Sequence, residues 1–216
     1  MNNSTAILLF GRSAAAESRA KALGEGTRTA EALLRRTEKV IRRAGLPVIR
    51  STEKLQRGSS FGERLANAVA EVYTRGFARV IVVGSDCSSL QISHLRAAAQ
   101  QLEAGNNVLG PDQRGGAWLI GLQREDFNHE HFASLCWETQ NVFSELTDLL
   151  PQIICLRQLA DVNSLGDLRK LWTLLRSRMG ELYDLIFAPQ LVFVGKGVGF
   201  AFAAVMQREG RGPPTD

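Results

Sequence analysis

The chain has 216 residues, 44% of them hydrophobic and 22% charged, a balance that supports one sizeable buried core and excludes disordered, collagen-like and low-complexity classes. Its 26 basic and 22 acidic residues leave a formal charge of +4, and the arginines are dispersed rather than gathered, which argues against nucleic acid as a partner. Three cysteines, Cys87, Cys136 and Cys155, stand too far apart for a disulfide framework or a zinc site, so a reducing, cytoplasmic setting is expected. The apolar start at 6–10 is too short for a signal peptide and has no basic residue before it. The stretch 191–206 carries Lys196 and three glycines and falls short of the roughly 20 residues of a membrane span.

Taken in chain order, residues 6–10 form a continuous apolar run of the kind found in a strand covered on both faces. From Thr27, small or apolar residues at Ala30, Leu33, Leu34, Thr37, Val40, Ile41 and Ala44 recur three and four apart, predicting an amphipathic helix that Gly45 ends. A second strand is expected at 47–49. Ser60 with Glu63 then makes a capping box for a helix carrying Leu65, Ala68, Val69 and Val72, closed by Gly76. The third strand, 80–83, runs into Gly84-Ser85-Asp86, after which Ser88 and Gln91 are expected to cap a helix through Leu95, Ala98 and Leu102. Three strand-helix units in about a hundred residues predict a parallel sheet. Further on, 117–122 and 153–156 read as strands, 142–150 as a helix stopped by Pro151, and Ser164 with Asp167 as the start of a last long helix. One domain is expected over 1–216, with its core at 5–172, an apolar and helical extension at 173–209 and a fraying tail at 210–216.

Chemistry concentrates at three places. Asp86 follows a buried strand, where open sheets bind ligands, and suits a divalent cation bridging phosphate oxygens; capping the next helix is the plainer alternative. Gly115 and Gly116 allow a ligand to approach the backbone, and Arg114 beside them suits a phosphate or carboxylate, although a tight connection with a solvated arginine has the same composition. Asp161 and Asn163 offer oxygens ahead of a capped helix, where capping alone also explains them. His94 reads as a helix residue, and His129 and His131 as surface residues of an acidic loop. Cys87 and Trp118 read as packing residues, while Trp137 is open to either stacking on a ligand or packing.

Together these pieces resemble the glycosyltransferase A-like superfamily of nucleotide-diphospho-sugar transferases and nucleotidyltransferases, and within it a bacterial family of transferase-like proteins. The resemblance spans roughly residues 5 to 172. It is carried by Gly11-Arg12, by Gln56-Arg57-Gly58 with Gly62-Glu63-Arg64, and by Gly84-Ser85-Asp86-Cys87-Ser88. Gly110-Pro111 with Gly115-Gly116 and Leu119-Ile120-Gly121-Leu122, Trp137 with Thr139, and Asp161-Val162-Asn163 with Asp167-Leu168 complete it.

That resemblance implies a three-layer, Rossmann-like α/β fold with a mostly parallel central sheet, and glycosyl transfer from a nucleotide-sugar with Mg2+ or Mn2+ activating the diphosphate leaving group. Nucleotidyl transfer, or a non-catalytic ligand-binding descendant, are the other activities the superfamily resemblance leaves open. It assigns Asp86 and Arg114 to catalysis, and Asp86, Asp161 and Asn163 to the metal. Arg12, Lys21, Gln56, Arg64, Gly115, Gly116 and Trp137 fall to the nucleotide or substrate. The acceptor is unspecified, and the long helix after Leu168 with the apolar stretch 191–206 is expected either to pack on the sheet or to make a homodimer contact. Departures are also legible: the first loop, Arg12-Ser13-Ala14-Ala15-Ala16, lacks the glycines and prolines of the superfamily, Ser88 stands for a proline, and Arg114 and Asn163 stand for aspartates.

Overall fold

The apolar runs at 6–10, 80–83 and 117–122 become strands that bury both of their faces, while those at 47–49 and 153–156 become more exposed edge strands. The computed structural model of the chain describes residues 2–20, 27–85 and 87–159. Within them are the strands β1 (Asn2–Phe10), β2 (Val48–Ser51), β3 (Phe77–Val83), β4 (Asn107–Pro111), β5 (Ala117–Gln123) and β6 (Ile153–Cys155). The helices are α1 (Ala14–Ala20), α2 (Thr27–Arg43), α3 (Phe61–Thr74), α4 (Ile92–Glu103), α5 (His129–Ser134) and α6 (Val142–Leu149). Lys21, Asp86, Asp161, Asn163, the expected last helix and the stretch 191–206 lie outside the described residues.

One sheet contains all six strands in the order β2-β1-β3-β5-β4-β6. β1 is parallel to β2 and β3, and β4 to β6, whereas β5 is antiparallel to both of its neighbours. The reversal follows from chain length: only residues 112–116 separate β4 from β5, and a parallel crossover needs a dozen or more.

Side chains alternate across the sheet, as the two-residue period of a strand requires. On one face, Ala6, Leu8, Val80, Val82 and Leu122 pack against Leu65, Val69 and Val72 of α3, Phe132 of α5 and Leu146 of α6. On the other, Ile7, Leu9, Ile81, Val83 and Leu119 pack against Ile41 of α2 and Leu95, Ala98 and Leu102 of α4. The result is three layers, helix on sheet on helix. Each fully buried Leu, Ile or Val in these clusters contributes on the order of 1.5–3 kcal/mol.

The helix starts show how local chemistry sets the boundaries. Ser60 accepts from the Glu63 amide at 3.1 Å while the Glu63 carboxylate reaches back to the Ser60 amide, so the expected capping box of α3 is present. α4 departs from expectation. It begins at Ile92 with Gln91 as its N-cap, and the Gln91 amide donates to His94 Nδ1 at 3.3 Å. Ser88 is instead buried, with no hydrogen-bond partner for its hydroxyl among the described residues. The turn ending in Leu90, whose amide donates to the Cys87 carbonyl, delays the helix by three residues. α5 is a second departure: His129 and His131 lie in a helix capped by the Asn128 side chain rather than in a loop.

Two ends of the sheet differ in character. At the amino edge, Asn107 Nδ2 donates to Asp126 and to the Pro151 carbonyl, and Gln123 Nε2 donates to the Leu102 carbonyl, so polar side chains close that end against one another. At the carboxyl edge the sheet opens.

Candidate functional site

The chain leaves β1 towards β2 on one side and leaves β3 towards β4 on the other. Their carboxyl ends therefore flank a topological switch point, the place where open α/β sheets bind ligands. A cleft of about 280 Å3 lies there, near the lower end of the volumes typical of small-molecule sites. Its walls come from the end of β1 (Phe10, Gly11, Arg12), the end of β3 (Val82, Gly84, Ser85), the start of β5 (Ala117, Trp118, Ile120) and the first turns of α3 (Phe61, Arg64, Leu65). Glu17, Gln56 and Glu138 complete the lining. A smaller hollow of about 100 Å3 shares Gly11, Arg12 and Ser85 with it.

The loop after β1 is held by two side chains from the segment after β2. Gln56 Nε2 donates to the carbonyls of Gly11 at 2.9 Å and Ser51 at 3.1 Å, which leaves its amide oxygen as the free acceptor. Glu53 accepts from the Ser13 amide at 2.7 Å and the Ser13 hydroxyl at 2.6 Å. Those bonds hold the Glu53 carboxyl below the usual glutamate range. Ser13 then leads into α1, a short alanine-rich helix where an irregular loop was expected. Arg12 stands exposed at the rim, and its guanidinium makes no hydrogen bond or ion pair among the described residues. Arg64, half-buried on α3, donates to the Ser59 carbonyl at 3.2 Å.

Three of the residues singled out in the sequence, Arg12, Gln56 and Arg64, thus meet in the cleft. Arg114, Gly115 and Gly116 belong to the β4–β5 connection that delivers Ala117 and Trp118 to it, and are not among its lining residues. This connection is stiff. Asp112 Oδ1 accepts from the amides of Arg114 at 2.6 Å and Gly116 at 2.8 Å, and the Gly115 carbonyl accepts from Phe143 at 2.9 Å. Gly115 has φ +85°, and a β-carbon there would overlap the Gln140 carbonyl, so glycine is required on two counts. An acidic residue is therefore present in this connection, at 112, and its carboxylate serves the backbone.

Trp118 is buried, as expected of a packing residue, with its ring against His94 at a centroid distance of 5.3 Å, and the residue also lines the cleft. Trp137 packs on Phe132 and Phe61 at centroid distances of 5.0 and 5.6 Å, and its indole N–H donates to the Phe132 carbonyl at 2.8 Å. Cys87 is fully buried. His129 reaches Asn67 on the surface at 2.8 Å. Among the described residues, no group of three or more His, Cys, Asp or Glu is placed to hold a metal ion, and no helix is long and apolar enough to cross a membrane.

Glu138, beside Trp137, was not singled out by the sequence. It lines the cleft with φ +63°, a left-handed conformation that costs a non-glycine residue roughly 1–2 kcal/mol. Its neighbours enforce it: the Trp137 amide donates to the Leu135 carbonyl at 2.7 Å, Thr139 Oγ1 to the Cys136 carbonyl at 2.6 Å, and the Cys136 amide to Glu145 at 2.6 Å. The last bond also lowers the Glu145 pKa. No local sequence signal marks Glu138, because left-handed turns normally announce themselves with glycine or asparagine.

Residues 30–139, just over half of the chain, match the model of the family described as "Uncharacterized protein conserved in bacteria (DUF2064)". The chain belongs to this family. Of solved structures, a "putative nucleotide-diphospho-sugar transferase" from Desulfovibrio desulfuricans G20 is similar at TM-score 0.72 and 20% identity, over 84% of this chain and 96% of that one. Rv0371c from Mycobacterium tuberculosis H37Rv is similar at TM-score 0.50 and 14% identity, over 79% and 98%. A manganese complex of Rv0371c gives TM-score 0.48 and 14% identity, over 78% and 97%. No curated protein sequence matches the chain. This DUF2064 member therefore has the glycosyltransferase A-like fold of nucleotide-diphospho-sugar transferases, with a mixed, mostly parallel six-stranded sheet among its described residues.

Proposed function

We propose that this chain binds a nucleotide-sugar at the carboxyl edge of its sheet and transfers the sugar to an acceptor. The observation that carries the reading is the cleft at the switch point between β1 and β3, rimmed by the guanidinium of Arg12, which no described residue engages, and flanked by Arg64. Arginine forks match phosphate oxygens, and a diphosphate needs positive charge where it departs. The oxygen of Gln56 is free to accept from a base or ribose while its nitrogen keeps the Arg12 loop in place. Phe61, Leu65 and Trp118 give the cleft an apolar wall. Fold likeness to the Desulfovibrio protein supports the same substrate class for this chain.

Lys21 and Arg114, with Gly115 and Gly116, are further candidates on the phosphate side, and Trp137 on the substrate side. Asp86 follows Ser85 of the cleft in sequence, and with Asp161 or Asn163 it makes a set of hard oxygen donors, which by chemistry fits Mg2+ or Mn2+. Bound there, the ion would supply positive charge to the diphosphate. The residues of the chain bind and orient: Arg12 and Arg64 take phosphate oxygens, and the stiff β4–β5 connection holds the Trp118 wall. The three cysteines, one buried and two exposed and none in a disulfide, suit a cytoplasmic location.

Calorimetry against UDP-, GDP- and CDP-sugars and nucleoside triphosphates, with magnesium, tests the reading. Binding of a nucleotide-sugar, followed by release of a nucleoside diphosphate when acceptors are supplied, is expected. Pyrophosphate release from a triphosphate would replace sugar transfer by nucleotidyl transfer, and a folded protein that binds none of these ligands contradicts the proposal.

A further inference from the structure

Glu17 and Glu138 are the acidic residues of the cleft lining, and Glu17 has a partner of its own; the acidic side chains around them divide by what their oxygens touch. Glu53 accepts two bonds from Ser13, Glu63 caps α3, Asp112 binds the amides of its own connection, and Glu145 binds the Cys136 amide. All four serve the backbone. Glu138 differs, since the residue is exposed and lines the cleft, and its carboxylate makes no hydrogen bond or ion pair among the described residues. The fold does not use this side chain, yet it holds the residue in a left-handed conformation that glycine would adopt freely. The loop's own bonds run through Trp137, Thr139, Cys136 and Glu145, so a glycine at 138 would leave them intact.

A carboxylate offers two acceptor oxygens side by side and no donor. Its natural neutral partner is a pair of adjacent hydroxyls, each donating to one oxygen. The cleft that holds Glu138 also holds Arg12, a cation that no described residue engages. A ligand that satisfies both has an anionic part and a part rich in hydroxyl donors. We infer that Glu138 is a specificity-determining residue that takes a vicinal diol of the sugar portion of the ligand, while the arginines take the phosphates. This inference rests on the nucleotide-sugar reading, and it assigns the 135–141 loop a task that reading did not.

Two variants separate the chemistry from the backbone. Glu138→Gly removes the carboxylate and relieves the left-handed strain, so its Tm should equal or exceed that of the unmodified protein. Glu138→Gln keeps one acceptor oxygen and should bind with intermediate affinity. Calorimetry with magnesium compares a nucleotide-sugar with its nucleoside diphosphate, and saturation-transfer NMR follows methyl glycosides alone. The expected result is at least a tenfold loss of nucleotide-sugar affinity in Glu138→Gly, with nucleoside diphosphate affinity within twofold and the glycoside signal gone. Unchanged nucleotide-sugar affinity would overturn the inference and leave the nucleotide-sugar reading standing. An equal fall for sugar-bearing and sugar-free nucleotides would also overturn it, by assigning Glu138 to the phosphate end. If the unmodified protein binds glycosides but no nucleotide, and Glu138→Gly loses them, the inference holds and the nucleotide-sugar reading fails; binding of neither class refutes both.

Discussion

Replacing Gly62 by alanine sets two effects of opposite sign against each other. Gly62 is the second residue of α3, and alanine inside a helix is favoured over glycine by up to about 1 kcal/mol. A β-carbon at this position, however, would overlap the Ala133 carbonyl of α5 and come within 2.5 Å of Trp137 Cδ1. Carbon atoms in good contact sit about 3.5–4.0 Å apart, so the tryptophan, the end of α5, or α3 itself must move by about an ångström. Overpacking of this kind costs about 1–3 kcal/mol, and overlap with a backbone oxygen places it in the upper part of that range. The net effect is a destabilisation of about 1–2 kcal/mol. At about 2–4 °C per kcal/mol for a chain of this size, Tm should fall by about 2–8 °C in a thermal unfolding scan. The Trp137 indole N–H resonance should shift with it, because its bond to the Phe132 carbonyl is displaced. A Gly62→Ala protein as stable as the original, or more so, with that resonance unmoved, would refute the close approach of α3, α5 and Trp137.

Three further outcomes are expected. Ser60→Ala removes the N-cap of α3 and should lower stability by about 1 kcal/mol in denaturant titration, with the slope unchanged. Glu53 has a folded-state pKa below its unfolded value, because Ser13 donates to its charged form; its contribution is present above the unfolded pKa and is lost as pH falls through the folded one. The Tm difference between Glu53→Gln and the original should therefore be clear at pH 7 and close only as pH falls below the ordinary glutamate range, and a difference that persists in strong acid would point to packing instead. Arg12→Ala should weaken nucleoside diphosphate binding about tenfold at low salt, and by less as salt screens the exposed charge, which calorimetry at two ionic strengths would read.

Much of the fold was legible because local and long-range preferences agree. The runs at 6–10 and 80–83 are apolar throughout and became the neighbouring parallel strands β1 and β3. The Ser60 and Glu63 pair set the start of α3 to the residue. Other features were written less plainly. Reversal of β5 was readable from the short 112–116 connection, which no parallel crossover can fit, although composition and apolar pattern are silent on direction. Ser88 looked like a helix cap, yet the Cys87–Leu90 turn intervenes and Gln91 takes that place. α1 hides in an alanine run with little apolar periodicity. Within the site, Arg12, Gln56 and Arg64 were legible through the resemblance carried by Gly11-Arg12, Gln56-Arg57-Gly58 and Gly62-Glu63-Arg64, and all three line the cleft. Glu138 was not, because its conformation is imposed by Trp137, Thr139 and Glu145 rather than by its own preferences.

Amide NMR mapping of a nucleoside diphosphate with magnesium tests the central claim most directly, since it asks which end of the sheet the ligand touches. Resonances of Gly11, Arg12, Gly84, Ser85 and Arg64 should shift on titration, while those of Asn107, Gln123 and Arg124 at the opposite edge stay in place. Shifts confined to the Asn107 edge, or none at millimolar ligand, would contradict a diphosphate site between β1 and β3.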